Sequence, residues 1–260
     1  MTGEEIFKSL VALLTGGVIW EGIKFLYPEI KKTISDKINS RKILLEFIDP
    51  LIKSGDELIA KIHSLAKNDF REAYTNSILN SNGNLLIERI YLLYLFCSFW
   101  GRISIIRSTT NFSSIAKFKK GNRFLKFIYT FESKKNRIIS RASQRVIGDA
   151  MFRANNGQLN LISFSEFTDE LIKPHSNLLK LITPLEEIFI NSNDRDVRQK
   201  ILFFGVILQV FLDCFDSKHL ISRNRNLYIN KLSNKTKHEL QKRLFVIYLP
   251  FIKNTFKYYK

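Results

Sequence analysis

The chain has 260 residues, 45% hydrophobic and 13% aromatic, which is enough to bury a sizeable core, so disorder is excluded for most of it. It carries 41 Lys and Arg against 24 Asp and Glu, a net charge of +17 that points to an anionic partner. Five Pro and 11 Gly exclude a collagenous or linker-rich chain, and two cysteines set in apolar runs, Cys97 and Cys214, suit a reduced compartment rather than a disulfide scaffold.

The first element is a hydrophobic helix. Twelve uncharged residues, Ser9 to Trp20, are too few for a bilayer, but Ile6–Tyr27 is about 33 Å of helix if Lys8 and Lys24 snorkel to opposite interfaces. Glu4 and Glu5 precede it, and Lys31, Lys32, Lys37, Arg41 and Lys42 follow it. The positive-inside rule then predicts a single-pass inner-membrane protein, N-terminus out, with residues 1–28 as the membrane helix and 29–260 as a basic cytoplasmic helical domain. Gly16, Gly17 and Gly22 thin one side of the helix, and Glu21 is costly in lipid without a partner, so a homo-oligomer is expected. An amphipathic helix packed on the body or lying in the interface is the other reading.

The body reads as all-α: a helical bundle with one small β-hairpin. Ile34, Ile38, Leu45 and Ile48 recur at helical spacing up to Asp49-Pro50, where a new helix is predicted to start and run to about Lys67. A short helix over Asn68–Asn80 follows. Leu85–Arg107 is apolar nearly all round between Arg89 and Arg102 and reads as a central core helix. Helices are predicted at 112–131 and 133–151, then two short strands about Asn156-Gly157. Ser163-x-x-Glu166 has capping-box spacing for a helix to Ile172. Helices at 175–190 and 194–216 follow, and a last one begins at a second capping box, Thr236-x-x-Glu239, and runs to the end of the chain.

The excess charge lies in two segments. Residues 102–145 carry 12 basic and 1 acidic side chain, and residues 218–260 carry 11 and 1; residues 1–101 are balanced and 146–217 are mildly acidic. On the predicted helix after Ser133, Lys134, Arg137, Arg141 and Arg145 fall at i, i+3, i+7 and i+11, stacking four cations on one face, with Asp149 one turn beyond Arg145 as its partner. Lys119, Lys120 and Arg123 on the preceding helix extend the same surface, with Lys117 and Lys126. Such a row suits a polyphosphate, whether a nucleic-acid backbone or anionic headgroups. Phe118, Phe124, Phe127 and Tyr129 lie between these cations, and their helical spacing favours the core over base stacking.

No catalytic or metal site is expected, and no cofactor. His63, His175, His219 and His238 are scattered in sequence, none is preceded by an Arg with four to six residues between them as a ribonuclease motif requires, and G-x-S-x-G, P-loop, G-x-G-x-x-G and CxxC motifs are absent.

Ile90-Tyr91-Leu92-Leu93-Tyr94-Leu95-Phe96-Cys97-Ser98-Phe99-Trp100-Gly101-Arg102-Ile103, followed by Arg145-Val146-Ile147-Gly148-Asp149-Ala150-Met151 before a hairpin, resembles a bacterial family of N-terminally membrane-anchored helical proteins without assigned activity. That family carries an aromatic helix and an R-x-I-G-E-x-M stretch; here Asp149 stands for the Glu, and the Glu of the aromatic helix is replaced at Ser104. The layout is also similar to membrane effectors attached to prokaryotic Argonaute and type VI CRISPR defence systems. The resemblance implies an antiphage effector or accessory protein, not an enzyme, acting by membrane permeabilisation, with the lipid bilayer and a nucleic acid or nucleic-acid-guided complex as partners. The alternatives are a tethered RNA- or DNA-binding module and a nuclease.

Overall fold

A computed structural model describes residue 42 and residues 45–74, 86–155 and 158–260. The expected membrane helix, with Gly16, Gly17, Glu21 and Gly22, lies outside the described residues, as does the end of the short helix expected over Asn68–Asn80.

Helix α1 covers residues 45–67 and runs through Pro50, so the predicted break there does not occur. Proline removes one rung of the helical ladder, but Ile48, Leu51, Ile52, Leu58, Ile59 and Ile62 keep one unbroken apolar face whose burial outweighs the lost bond. After the four-residue α2 (Arg71–Tyr74), the long α3 (Ile87–Thr109) forms the centre of the body. It is long and apolar enough to cross a membrane by composition, and 83% of its most apolar stretch is buried inside the protein. Its N-terminal end is tied down by Arg89, which donates to the Ala73 carbonyl at 2.6 Å and the Glu186 carbonyl at 3.0 Å. Burial lowers the pKa of that guanidinium to about 10.

The remaining helices wrap α3: α4 (Phe112–Ala116), α5 (Lys119–Glu132), α6 (Arg141–Ala150), α7 (Phe164–Ile172), α8 (Asn177–Ile190) and α9 (Arg195–Phe215). Strands β1 (Phe152–Asn155) and β2 (Gln158–Leu161) pair antiparallel, Phe152 opposite Leu161, around residues 156–157, as the Asn-Gly signal predicts. Ser163 and Glu166 form the predicted capping box of α7. The final segment differs from expectation. Ser233, not Thr236, caps α10 (Asn234–Glu239), accepting from the Thr236 amide, and the helix widens to π geometry over Leu240–Tyr248 before ending ahead of Pro250.

The core is a run of phenylalanines shared by α3, α5 and α9. Phe96, Phe99, Phe124, Phe127, Phe131, Phe204, Phe211 and Phe215 connect through ring contacts such as Phe99–Phe131 at 5.1 Å, Phe131–Phe204 at 5.4 Å and Phe127–Phe211 at 5.5 Å. Each such pair adds about 0.5–1.5 kcal/mol beyond area burial. The two motif stretches of the sequence are one helix pair: α6 lies along α3, and the pair approaches closely because a Cβ on Gly148 would meet the Trp100 carbonyl oxygen at 2.7 Å and the Ser104 hydroxyl at 2.5 Å. The backbone atom cannot swing aside, so Gly148→Ala is expected to cost about 1–3 kcal/mol by forcing α6 off α3. Urea denaturation checks this, and an unchanged midpoint would rule out the close crossing.

Candidate nucleic-acid interface

Helix α5 buries Phe124, Leu125, Phe127, Ile128 and Phe131, which leaves its basic residues facing outward: Lys119, Lys120 and Lys126 are exposed and Arg123 is half-buried. Phe124 and Phe127 therefore belong to the core, as their spacing predicts, while Tyr129 is exposed. The cations rest on rings: Lys120 lies over Phe215 at 5.8 Å, and Arg123 and Lys126 lie over Phe251 at 5.3 and 5.6 Å. Such contacts contribute about 0.5–1 kcal/mol each at exposed sites.

The four-cation ladder does not form on one helix. The chain turns after Ser133, and α6 starts only at Arg141, with the Ser140 hydroxyl accepting from the Ser143 amide at 3.0 Å. Lys134 and Arg137 sit in the connection, where Ile138 and Ile139 are drawn into the core. Arg141 and Arg145 share Glu132 instead, at 3.0 and 3.4 Å, and Arg107 from α3 joins the same carboxylate. Arg145 makes no ion pair with Asp149. Glu132 is 6% exposed, while Arg141 and Arg145 stay 47% and 45% exposed, so three guanidiniums surround one buried carboxylate and keep an outward positive face.

The two basic segments meet in space. Phe251, under Arg123 and Lys126, comes from the C-terminal one, and Arg243 Nη2 donates to the Lys135 carbonyl at 3.3 Å. The lone acid of the C-terminal segment, Glu239, is held by Arg243 at 2.9 Å. Between the segments lies a cleft of about 310 Å³ whose wall carries Lys135, Lys200, Lys235 and Arg243 against Asp196 and Glu239. Among the described residues Lys117, Lys119, Lys120, Arg123, Lys126, Lys134, Lys135, Arg137, Lys200 and Lys235 have no ion pair, whereas Arg225, Lys231 and Lys257 are taken up by Asp56, Asp69 and Asp213.

Sequence reading missed one polar cluster. His219 Nε2 stands 3.9 Å from Asp213 Oδ1, and its Nδ1 is 3.2 Å from Ser222 Oγ. This is no catalytic triad. Ser222 is buried and its hydroxyl donates to Asp216 at 2.9 Å, so the group serves a loop clamp. Burial acts to raise the pKa of Asp216, but the amides of Leu220, Ile221 and Ser222 and the Ser222 hydroxyl overcome it and hold the carboxyl down at about 2. His219 takes a positive φ of 51°, a turn that sequence periodicity does not reveal. Both cysteines are free thiols, and burial pushes the Cys97 thiol far up. Among the described residues no three His, Cys, Asp or Glu side chains group as metal ligands.

Glu132→Gln should be far more damaging than loss of any one of its partners. It removes the single charge that three guanidiniums face, a change expected to cost about 3–5 kcal/mol, whereas Arg141→Gln at the exposed rim should cost about 1 kcal/mol or less. Chemical denaturation of both variants checks the order, and equal costs would refute it. Asp216 has its pKa lowered on folding, so its stabilisation is fully present above the ordinary value of 3.8 and is lost as pH falls toward about 2. Acid unfolding of Asp216→Ala should lack that part of the titration.

Comparison with protein families, with curated proteins and with solved structures finds no match to this chain.

Proposed function

We propose that the protein is a membrane-tethered helical module whose basic face grips the phosphate backbone of a nucleic acid, and that it acts without covalent chemistry as an effector or accessory protein of bacterial antiphage defence. One observation supports the binding half most strongly: two basic segments far apart in sequence fold against each other, and the lone acid of each is already held by arginines of its own segment. The lysines left over have no ion pair among the described residues, and clustered like charge is relieved by phosphate.

The membrane half rests on the sequence of Ile6–Tyr27 and its flanks. In this reading the helix holds the body at the inner membrane, copies associate through Gly16, Gly17 and Gly22, Glu21 is received by water or a neighbouring copy, and assembly permeabilises the bilayer.

Binding to single-stranded RNA should fall linearly with the logarithm of salt concentration. Replacing Lys119, Lys120 and Lys135 by Gln removes no ion pair among the described residues, so folding should lose no more than the about 0.5–1 kcal/mol of the Lys120–Phe215 contact while affinity falls and the salt slope flattens by about 0.7 for each lysine that meets a phosphate. An unchanged slope in anisotropy titrations would sink the reading; a flattened slope on anionic vesicles alone would move it to a lipid surface. Deleting residues 1–28 should release the protein from carbonate-washed membranes, and full-length protein that is soluble without detergent would remove the tether.

A further inference from the structure

The guanidiniums buried in the body are almost all answered: Arg89 by two carbonyls, Arg107 by Glu132, Arg225 by Asp56 and Arg243 by Glu239. Arg102 is the exception. It stands half-buried on α3 with no hydrogen bond and no ion pair among the described residues; its Nε, like those of Arg89 and Arg243, is sealed from solvent without a partner, but of the three only Arg102 has no partner at its other nitrogens either. Burial lowers its pKa, the mark of a charge held away from water and not fully compensated. Arg102 and Pro50 form the shared wall of two adjoining cavities, about 590 and 360 Å³, bounded by α1, α3 and strand β2.

The two cavities differ in chemistry. The larger has Ser54, Ser98, Tyr94 and Glu57 in its wall, while the smaller has an apolar side of Phe47, Ile105, Ile106 and Leu159, with Glu46, Thr109 and Asn160 completing its lining. Glu57 acts electrostatically on Arg102 but stands beyond ion-pair distance, and it makes no ion pair or hydrogen bond among the described residues. Asp49 and Lys53 add one charge of each sign, so the polar wall is neutral in sum, unlike the basic face, and does not suit a polyphosphate. A planar guanidinium fork and a carboxylate lining one cavity, too far apart to pair, match a molecule bearing a carboxylate and an ammonium on neighbouring atoms.

We propose that this cleft binds a free α-amino acid with an apolar side chain: the carboxylate on Arg102, the ammonium toward Glu57, and the side chain against Phe47, Ile105, Ile106 and Leu159. The combined space lies in the range of small-molecule sites, with Arg102 between the wall that carries Glu57 and the apolar side chains of the smaller cavity.

Isothermal titration of the full-length protein with L-leucine, with 4-methylpentanoate, which lacks only the amine, and with 3-methylbutylamine, which lacks only the carboxylate, tests this. Leucine should bind saturably, 4-methylpentanoate roughly tenfold or more weaker, and the amine not measurably. Arg102→Gln should abolish leucine binding. Glu57→Gln, at an exposed position that leaves the fold intact, should reduce leucine to the affinity of 4-methylpentanoate and leave that analogue unchanged. The proposal is overturned if neither L-leucine nor L-phenylalanine binds at millimolar concentration, if leucine and 4-methylpentanoate bind alike, or if inorganic phosphate binds the cleft better than leucine.

Discussion

The basic half of the body depends on one carboxylate. Glu132 ends α5 and receives Arg107 from α3 and Arg141 and Arg145 from α6, so a single buried charge ties three helices together. A buried ion by itself costs several kcal/mol in lost hydration, and only a full set of donors offsets that cost. Three guanidiniums around one carboxylate supply the donors and leave surplus positive charge at the surface. Glu239, part-exposed, holds Arg243 four residues on in the same helical run, and Arg243 in turn reaches the Lys135 carbonyl of the other basic segment. Each basic segment thus contains one acid, and that acid is held by arginines of the same segment.

Much of the fold was readable from periodicity and capping. The α3 stripe, the Asn-Gly hairpin and the Ser163–Glu166 box depend on neighbours within a few residues, and the structure carries all three. The failures share a cause: two local signals of equal strength competed and distant packing chose between them. Ser133 and Ser140 are both good caps, and the burial of Ile138 and Ile139 in the connection selects Ser140, which breaks the cation ladder. Ser233 and Thr236 stand in the same relation, and the demand of Arg243 for Glu239 removes that carboxylate from a capping box. At Pro50 a local breaker lost to a continuous apolar face.

The candidate site was legible as charge and not as geometry. The spacing of the basic residues is visible in the sequence, but that Arg123 and Lys126 would rest on Phe251, more than a hundred residues away, is not. Arg141 and Arg145 look like ligand contacts in sequence and are also helix junctions in space. In sequence Arg102 is one of twelve cations in its segment, and only the fates of the other arginines single it out.

The aromatic support under the cations bears on how a phosphate backbone would be received. A free surface lysine keeps about 2 kcal/mol of rotamer entropy that an anion must take away on binding. Where Lys120, Arg123 and Lys126 already lie along Phe215 and Phe251, part of that ordering is complete before any ligand arrives, and the ring faces replace some of the water around each cation. A merely solvated face gains nothing from such ordering. The same segments that bring the two charge blocks together therefore also hold their side chains extended, and packing of the phenylalanine core becomes a condition for the strength of the surface above it.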